Sequence, residues 1–211
     1  VMLAGISHDL RTPLARLRLE TEMSVADLDA RMHMAADITQ LDAIIDKFLD
    51  YARPFRGDMQ LLDVNDVARK IEVLLRSLLD EQASAHAGAQ VPEVILDLAP
   101  DLPRTRGDAE QLRQVFPNLA INAIQAMADE PSEPGAPRGR LTLSSGLRHG
   151  GRLGALTPHI EIRFTDTGPG ITATAMKSLF IPFFTTKERG TGLGLPISQR
   201  IVENHGGFIE V

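Results

Sequence analysis

Apolar residues in the first quarter of the chain recur with the spacing of helical seams. They form two runs: Leu3, Ile6, Leu10 and Leu17 in the first, and Ile38, Leu41, Ile45, Phe48 and Ala52 in the second. The polar stretch MSVADLDA (23–30) between the runs predicts a turn. Two helices cannot bury both apolar stripes by themselves, so residues 1–53 predict an antiparallel hairpin that dimerises into a four-helix bundle.

The pattern changes at Pro54, because the residue before a proline is disfavoured in helical geometry. We expect RPFRG (53–57) to contain a hinge, residues 54–62 to form a linker, and residues 63–211 to form a second domain. The expected elements of that domain are helices over 63–83 and 108–128, and strands in VILDL (94–98), RLTLS (140–144) and HIEIRFT (159–165).

Proline and glycine enrichment predicts loops over 129–139 and 146–158. The final GGFIEV (206–211) predicts the start of another strand, so we expect a sheet that continues beyond residue 211 and a chain that is part of a longer protein. The fold class predicted is α+β. It comprises a helical hairpin followed by an α/β sandwich, in which a mixed sheet carries helices on one face.

Composition narrows the possible functions. The chain has 211 residues, with 43% hydrophobic and 24% charged residues, which is typical of a globular protein rather than a disordered one. It has no cysteine, which excludes disulfides and thiolate metal sites. The formal charge of −6 and the absence of a basic run argue against nucleic acid as the main partner. No apolar run reaches the roughly 18 residues needed to span a bilayer, so we expect no membrane contact here.

Two short motifs offer polar groups for a nucleotide. NLAINAIQAM (118–127) places Asn118 and Asn122 on one helix face, where a carboxamide oxygen and phosphate oxygens would together suit Mg²⁺. DTGPGI (166–171) follows a predicted strand, so that Asp166 can accept a hydrogen bond from an exocyclic amine beside Gly168 and Gly170. Taken singly, an asparagine pair on a helix more often lies on a solvent-exposed face without a ligand. DTGPGI alone is equally consistent with an ordinary turn after a strand.

A third motif, GTGLGLPIS (190–198), places Gly190, Gly192 and Gly194 before a helix, with Pro196 at its expected first position. Such a segment binds anions, because free N–H groups and the helix dipole face the ligand. The spacing fits neither a dinucleotide fingerprint nor a phosphate-binding P-loop. The preceding LFIPFFTTK (179–187) is either core or a mobile lid. A lid would use its phenylalanines as anchors and offer Thr186 or Lys187 to phosphate.

GISHDLRTPL (5–14) contains His8, which taken alone is most often an ordinary surface histidine. The order of the histidine, asparagine, DTGPG, phenylalanine and glycine motifs changes that interpretation. In this order the chain resembles a two-component sensor histidine kinase over essentially all of its 211 residues. Residues 1–53 resemble the dimerisation and phosphotransfer hairpin of the osmosensor type. The remainder resembles the ATP-binding domain shared with Hsp90, DNA gyrase and MutL.

This resemblance implies a role for each motif. His8 accepts the γ-phosphoryl group, Asp9 hydrogen-bonds the other imidazole nitrogen, and Thr12 holds a water for the reverse, dephosphorylating step. Arg11 offsets phosphoryl charge, and Pro13 bends the helix so that His8 can meet two different domains. The predicted ATP-binding residues are Asn118, Asn122 as the Mg²⁺ ligand, Asp166, Gly168, Gly170, Thr186, Lys187, Gly190, Gly192 and Gly194.

The same resemblance implies partners and a location. We expect a homodimer through residues 1–53, a response-regulator receiver domain as the phosphoryl acceptor, and a cytoplasmic position within a longer inner-membrane sensor. A winged-helix regulator is favoured by the osmosensor-type hairpin. The expected docking residues are Ala15, Arg18, Leu19 and Glu22.

Two other functions remain open at this stage. One is a catalytically silent dimerisation and relay module, and the other is an ATPase or chaperone-type relative. The residues of QAM (125–127) and of the phenylalanine segment are more similar to those of nitrogen-sensor kinases than to those of the osmosensor type. That difference leaves open a mosaic chain joined near residues 53–57.

Overall fold

The computed structural model describes residues 2–52, 57–85, 91–128, 139–150, 157–187 and 190–211. These residues form two compact units. Unit 1 takes in Val1–Phe55 and Ile181–Ile197, and unit 2 takes in Arg56–Phe180 and Ser198–Val211. Within the described residues, no helix combines the length and the apolar composition needed to cross a membrane.

The predicted helical hairpin is present in unit 1. Helix α1 spans Met2–Ser24 and helix α2 spans Leu28–Ala52, and the two helices pack against each other. Asp27 ends the intervening turn by accepting the backbone N–H groups of Asp29 at 2.9 Å and Ala30 at 3.2 Å, which is an N-cap. Helix α1 continues through Pro13, the residue at which a bend is predicted.

Unit 2 contains the mixed sheet. Its elements are β1 (Gln60–Leu62), α3 (Val64–Ala85), β2 (Glu93–Leu98), β3 (Thr105–Gly107), α4 (Ala109–Ala128), β4 (Arg140–His149), β5 (Pro158–Asp166) and α5 (Ala173–Met176). Strand β4 lies between β2, to which it is parallel, and β5, to which it is antiparallel. Strands β1 and β3 form a separate antiparallel pair. Helix α6 (Gly194–Asn204) begins in unit 1 and continues in unit 2. The predicted α+β fold with a mixed sheet is confirmed.

The buried residues of unit 2 follow the helical and strand spacing of apolar residues in the sequence. Helix α3 buries an apolar stripe at helical spacing, and β4 buries alternate residues. The buried side chains are Val64, Val67, Ala68, Ile71, Leu75 and Leu79 on α3, Leu112, Val115, Phe116, Ala120, Ala123 and Met127 on α4, and Leu141 and Leu143 on β4. Phe116 packs edge-on against Phe164 with ring centroids 5.6 Å apart, so α4 is held against β5.

The structure corrects the predicted loop over 146–158. Strand β4 extends to His149, which pairs with Pro158, because the long ladder with β5 supplies backbone hydrogen bonds whatever the side chains are. Arg148 of β4 also donates to Glu161 of β5 at 3.2 Å. The rest of that predicted loop, 151–156, and most of the other, 129–138, lie outside the described residues. The short strands β1 and β3 are not predicted, because three residues carry too little periodicity.

The C-terminal part corrects two further expectations. Helix α6 starts at Gly194, so Pro196 is its third residue; the missing N–H is still tolerated, since the first turn lacks intrahelical acceptors. Gly206 has φ +75° and stops the helix, and the N–H of Gly207 donates to the carbonyl of Val202 at 2.9 Å. Residues 207–211 form no strand, because they pair with none of the described strands.

Candidate functional site

Helix α4 carries both predicted asparagines on one face, and both are half-buried. The Nδ2 group of Asn118 donates to the Oγ of Ser198 on α6 at 2.8 Å. Ser198 has no solvent exposure. Because this bond uses the amide nitrogen of Asn118, the carboxamide oxygen lies on the edge of the group that is opposite to Ser198. The motif reasoning missed Ser198, because its role depends on a contact 80 residues away in sequence.

Asp166 is the last residue of β5 and is exposed. Its Oδ1 accepts the N–H of Gly168 at 2.9 Å, which holds the carboxylate against its own turn. A Cβ on Gly168 would lie 2.9 Å from that oxygen, so this position has no room for a side chain. A carboxylate has two oxygens, and Asp166 therefore keeps acceptor capacity for an amine donor.

Thr167 and Met127 fix the position of the Asp166 turn, and the sequence motifs identify neither residue. The Oγ1 of Thr167 accepts the N–H of Arg140 at 2.9 Å, and the Thr167 N–H donates to the Arg140 carbonyl at 3.2 Å. The same hydroxyl lies 3.5 Å from the sulfur of the buried Met127 at the end of α4. A threonine directly after the aspartate was the available signal, whereas nothing in the sequence marks Met127.

The predicted phosphate loop lies in unit 1. Thr186 is exposed, Lys187 is half-buried, and residues 188 and 189 lie outside the described residues. Gly192 has φ +64°, and a Cβ there would lie 2.4 Å from the carbonyl carbon of Phe183. Its own carbonyl accepts the Phe183 N–H at 3.0 Å. Gly192 is therefore required for the close approach of two backbone segments.

The phenylalanine segment does not form a buried core, since Phe180 and Phe184 are half-buried and Phe183 is exposed. Phe183 has φ +67°, a strained value for an aromatic residue. Its ring stacks on Phe48 of α2 with centroids 6.2 Å apart. Within unit 1 the segment is thus anchored on the hairpin.

The predicted phosphoacceptor residues His8 and Asp9 lie within α1, but the side chains of residues 1–9 lie outside what the structure describes. Thr12 is exposed, one turn further along. Arg11 hydrogen-bonds Asp46 of α2, and this bond together with the charge of Asp46 raises the pKa of Arg11 above its ordinary value. The Arg11 guanidinium therefore already has a counter-charge on the hairpin.

The structure thus brings some of the predicted residues together within each unit. Unit 2 holds the two asparagines of α4 and the Asp166 turn, which includes Gly168 and Gly170, and α4 contacts β5 directly. Unit 1 holds the hairpin motif together with Thr186, Lys187, Gly190, Gly192 and the start of α6 at Gly194.

Family models match both parts of the chain. The His Kinase A (phospho-acceptor) domain matches residues 1–54. The family described as histidine kinase-, DNA gyrase B- and HSP90-like ATPase matches residues 107–211. Together these two matches include every predicted site residue.

The curated relatives and solved structures that are similar to this chain include sensor and histidine kinases, in agreement with the family models. Sensor histidine kinase ZraS of Klebsiella oxytoca is 31% identical over 98% of this chain and 41% of its own length. Sporulation kinase E of Bacillus subtilis is 31% identical over 99% of this chain and 26% of its own length. The chain therefore spans less than half of the length of each of these relatives.

Among solved structures, full-length ShkA in complex with AMPPNP has a TM-score of 0.66 at 24% identity, covering 97% of this chain and 41% of that one. Histidine kinase ThkA in complex with response regulator protein TrrA has a TM-score of 0.61 at 20% identity, covering 98% and 55%. At these identities the likeness establishes the fold. With both family models in the expected order, the chain belongs to the sensor histidine kinases.

Proposed function

We propose that this chain binds ATP with Mg²⁺ through the asparagine face and the Asp166 turn of unit 2, and transfers the γ-phosphoryl group to His8. The observation that carries the proposal is the placing of Asn118, Asn122 and Asp166 on contacting elements of a domain matched by the ATPase family model. His8 lies within the segment matched by the phosphoacceptor model.

The residues present suit a nucleotide and a magnesium ion. Asp166 has one oxygen held by its own turn and a second one for an amine, and Gly168 permits the close approach of the carboxylate to that turn. Asn118 and Asn122 present carboxamides from one half-buried helix face, and Mg²⁺ prefers such oxygen ligands beside phosphate oxygens and water. Asn122 would be the protein ligand, and bound Mg²⁺ would neutralise phosphate charge.

The chemistry on α1 uses the ordinary properties of histidine. An imidazole nitrogen attacks only when unprotonated, and histidine supplies that form near neutral pH. The new bond joins this nitrogen to phosphorus as the bond from phosphorus to ADP breaks. Asp9 would orient the ring and take up its proton, as a general base does. Thr12 would hold a water for the separate dephosphorylation of a response regulator, in which that water takes the phosphoryl group as inorganic phosphate.

The glycine segment of unit 1 offers groups of its own that suit phosphate. The N–H groups at the start of α6 and the Lys187 ammonium suit an anion, and Thr186 and Gly190 belong to the same segment.

The working form proposed is a homodimer through residues 1–53. Several seam residues of the hairpin keep large exposed apolar surfaces: Leu10 37%, Leu17 48%, Leu41 47% and Phe48 38%. A second hairpin packed on this seam would complete a four-helix bundle.

The proposed phosphoryl acceptor is the receiver domain of a response regulator, docked on the hairpin beside His8. Leu19 is 56% exposed, and Arg18 and Glu22 pair at 3.6 Å on the surface. The resemblance of the hairpin to the osmosensor type favours a winged-helix regulator. In the full-length protein we place this segment on the cytoplasmic side of an inner-membrane sensor. Initial transfer rates to a winged-helix and to a nitrogen-type regulator test the choice, and faster transfer to the latter would contradict it.

The decisive experiment incubates the chain with γ-labelled ATP and Mg²⁺ and then treats the labelled protein with acid or alkali. A phosphohistidine loses its label in acid and keeps it in alkali, whereas phosphoserine behaves in the opposite way. We expect acid-labile, alkali-stable label. Nucleotide binding without label would instead favour the ATPase-type function, and absence of nucleotide binding would favour the silent relay module.

A further inference from the structure

We propose that Ser198 is a positioning residue, whose buried hydroxyl orients the carboxamide of Asn118 toward the magnesium and phosphate end of the nucleotide site. This inference rests on the proposed function and gives a role to Ser198, which ends the GTGLGLPIS (190–198) motif but is assigned no function by the motif itself.

The contact itself defines the orientation. Asn118 donates through Nδ2 to Ser198 Oγ at 2.8 Å, and Ser198 is fully buried within unit 2. Because the amide nitrogen is held there, the oxygen occupies the opposite edge of the carboxamide. Asn122 lies one turn further along the same face of α4. The hydroxyl therefore selects, for the first asparagine, the orientation in which its oxygen is available to phosphate-bound magnesium or its waters.

A second contact keeps the two helices together without Ser198. His205 directly follows the end of α6, seven residues after Ser198, and its Nε2 accepts the backbone N–H of Asp108 at 2.9 Å. The Asp108 carboxylate in turn caps α4 by accepting the N–H groups of Glu110 at 2.9 Å and Gln111 at 3.2 Å. Loss of the Ser198 hydroxyl should therefore free the Asn118 side chain while α6 stays attached to the start of α4.

The chain offers a matched control in the same unit. Ser145 on β4 donates through Oγ to Asn65 Oδ1 at 2.8 Å, and Asn65 is 2% exposed. Asn65 in turn donates to the carbonyl of Ala99 at 2.8 Å. Ser145→Ala thus breaks a serine–asparagine hydrogen bond of the same length, away from the α4 asparagines and Asp166.

The experiment measures ATP affinity of the full chain by calorimetry, once with Mg²⁺ and once with EDTA. We expect Ser198→Ala to weaken binding about 5- to 20-fold with Mg²⁺, the loss of one orienting hydrogen bond, and less than about twofold with EDTA. Ser145→Ala should lower the melting temperature by a similar amount and leave both affinities within about twofold. In the Asn118→Ala background, adding Ser198→Ala should cost less than about twofold, since the serine acts through the asparagine.

The outcomes separate this inference from the proposed function. If the parent binds Mg²⁺–ATP and Ser198→Ala binds it equally well, or if Ser198→Ala costs the same with and without Asn118, the positioning role is wrong and the proposed function stands. If the parent binds no nucleotide, the proposed function fails and this inference fails with it. Should Ser198→Ala not fold, Ser198→Cys keeps a weak acceptor of similar size, and an intermediate loss confined to the Mg²⁺ titration is expected.

Discussion

The two units bury their apolar residues in different ways. In unit 2 the apolar faces of α3, α4 and β4 are covered by one another, with side chains such as Leu75, Met127 and Leu141 at or below 2% exposure. In the hairpin of unit 1 four seam residues, Leu10, Leu17, Leu41 and Phe48, remain a third to a half exposed, while Leu49 on α2 and the hydroxyl-bearing Thr21 on α1 are covered. Unit 2 therefore carries its own core, whereas the hairpin leaves part of its apolar seam exposed.

The polar contacts differ in the same way. Those that hold the asparagine face and the Asp166 turn use buried groups, namely Ser198 and Met127. The ion pair that ties α1 to α2, between Arg11 and Asp46, is about half exposed on both sides. Exposed pairs contribute little to stability. The difference fits the proposal that unit 2 binds nucleotide through positioned side chains and that the hairpin is completed by a second copy.

The largest effect is expected from removal of the proposed phosphoacceptor, which should separate phosphorylation of the hairpin from ATP binding by unit 2. His8→Ala should abolish acid-labile labelling, because the nucleophile is removed, and should leave the ATP affinity of unit 2 within about twofold of the parent. The measurements are γ-label incorporation and a nucleotide titration on the same preparation. His33→Ala, a second histidine of the hairpin, is the control and should label normally. Acid-labile label on the His8 variant would assign the phosphoacceptor to another residue.

The next prediction tests whether the hairpin seam is an interface. Leu41→Ser should weaken dimerisation by about 100-fold or more, because each copy loses the burial of a leucine worth about 1.5–3 kcal/mol and a symmetric dimer loses it twice. Sedimentation equilibrium over a range of concentrations measures the change. Leu74→Ser is the matched control, since Leu74 on α3 has nearly the same exposure, 45% against 47% for Leu41.

An equal loss in the two leucine variants would remove the distinction between the units. So would a parent chain that stays monomeric at all concentrations. The first result would mean that dimerisation is not specific to the hairpin seam, and the second would mean that no second copy covers it.

Sequence periodicity predicts the long elements of both units well, because helices such as α2 and α3 and the alternating strand β4 carry many repeats of one period. Periodicity fails where strand pairing depends on backbone hydrogen bonds rather than on the side-chain pattern, as in the extension of β4 to His149. It also places the asparagines and Asp166 on their elements, since these belong to compact motifs. It cannot find Ser198, because a single buried hydroxyl acquires its role from a helix distant in sequence.

The third prediction concerns recognition within unit 2. Asp166→Asn should weaken ATP binding by about 10- to 100-fold, because a hydrogen bond to a charged group contributes about 1.5–3 kcal/mol. Calorimetric titration measures the loss. Asp97→Asn, at a carboxylate on β2, should bind as the parent does. Unchanged affinity of the Asp166 variant would show that adenine is recognised elsewhere.

The fourth prediction returns to the hairpin and separates its two reactions. Thr12→Ala should slow dephosphorylation of a response regulator by roughly tenfold, because a positioned water loses one hydrogen bond. Autophosphorylation should change by less than about twofold, since His8 and Asp9 are retained. Thr39→Ala on α2, whose hydroxyl donates to the Ala35 carbonyl at 2.8 Å, controls for loss of an exposed threonine. Equal phosphatase rates in Thr12→Ala and the parent would contradict the assignment.

The smallest effect is expected from an ion pair of unit 2. Partial burial raises the pKa of Glu161, but hydrogen bonds from Arg163 at 3.1 Å and Arg148 at 3.2 Å outweigh it, so the net pKa is lowered. A carboxyl whose pKa is lower in the folded state stabilises that state above its ordinary pKa, and this stabilisation is lost as the pH falls through the folded-state value. Glu161→Gln should therefore lower the free energy of unfolding by less than about 1 kcal/mol at pH 7, since the pair is exposed. Urea unfolding at several pH values should show this difference disappearing in acid, and high salt at pH 7 should also reduce it. A difference that persists at about pH 3 would mean that the glutamate acts through packing rather than charge.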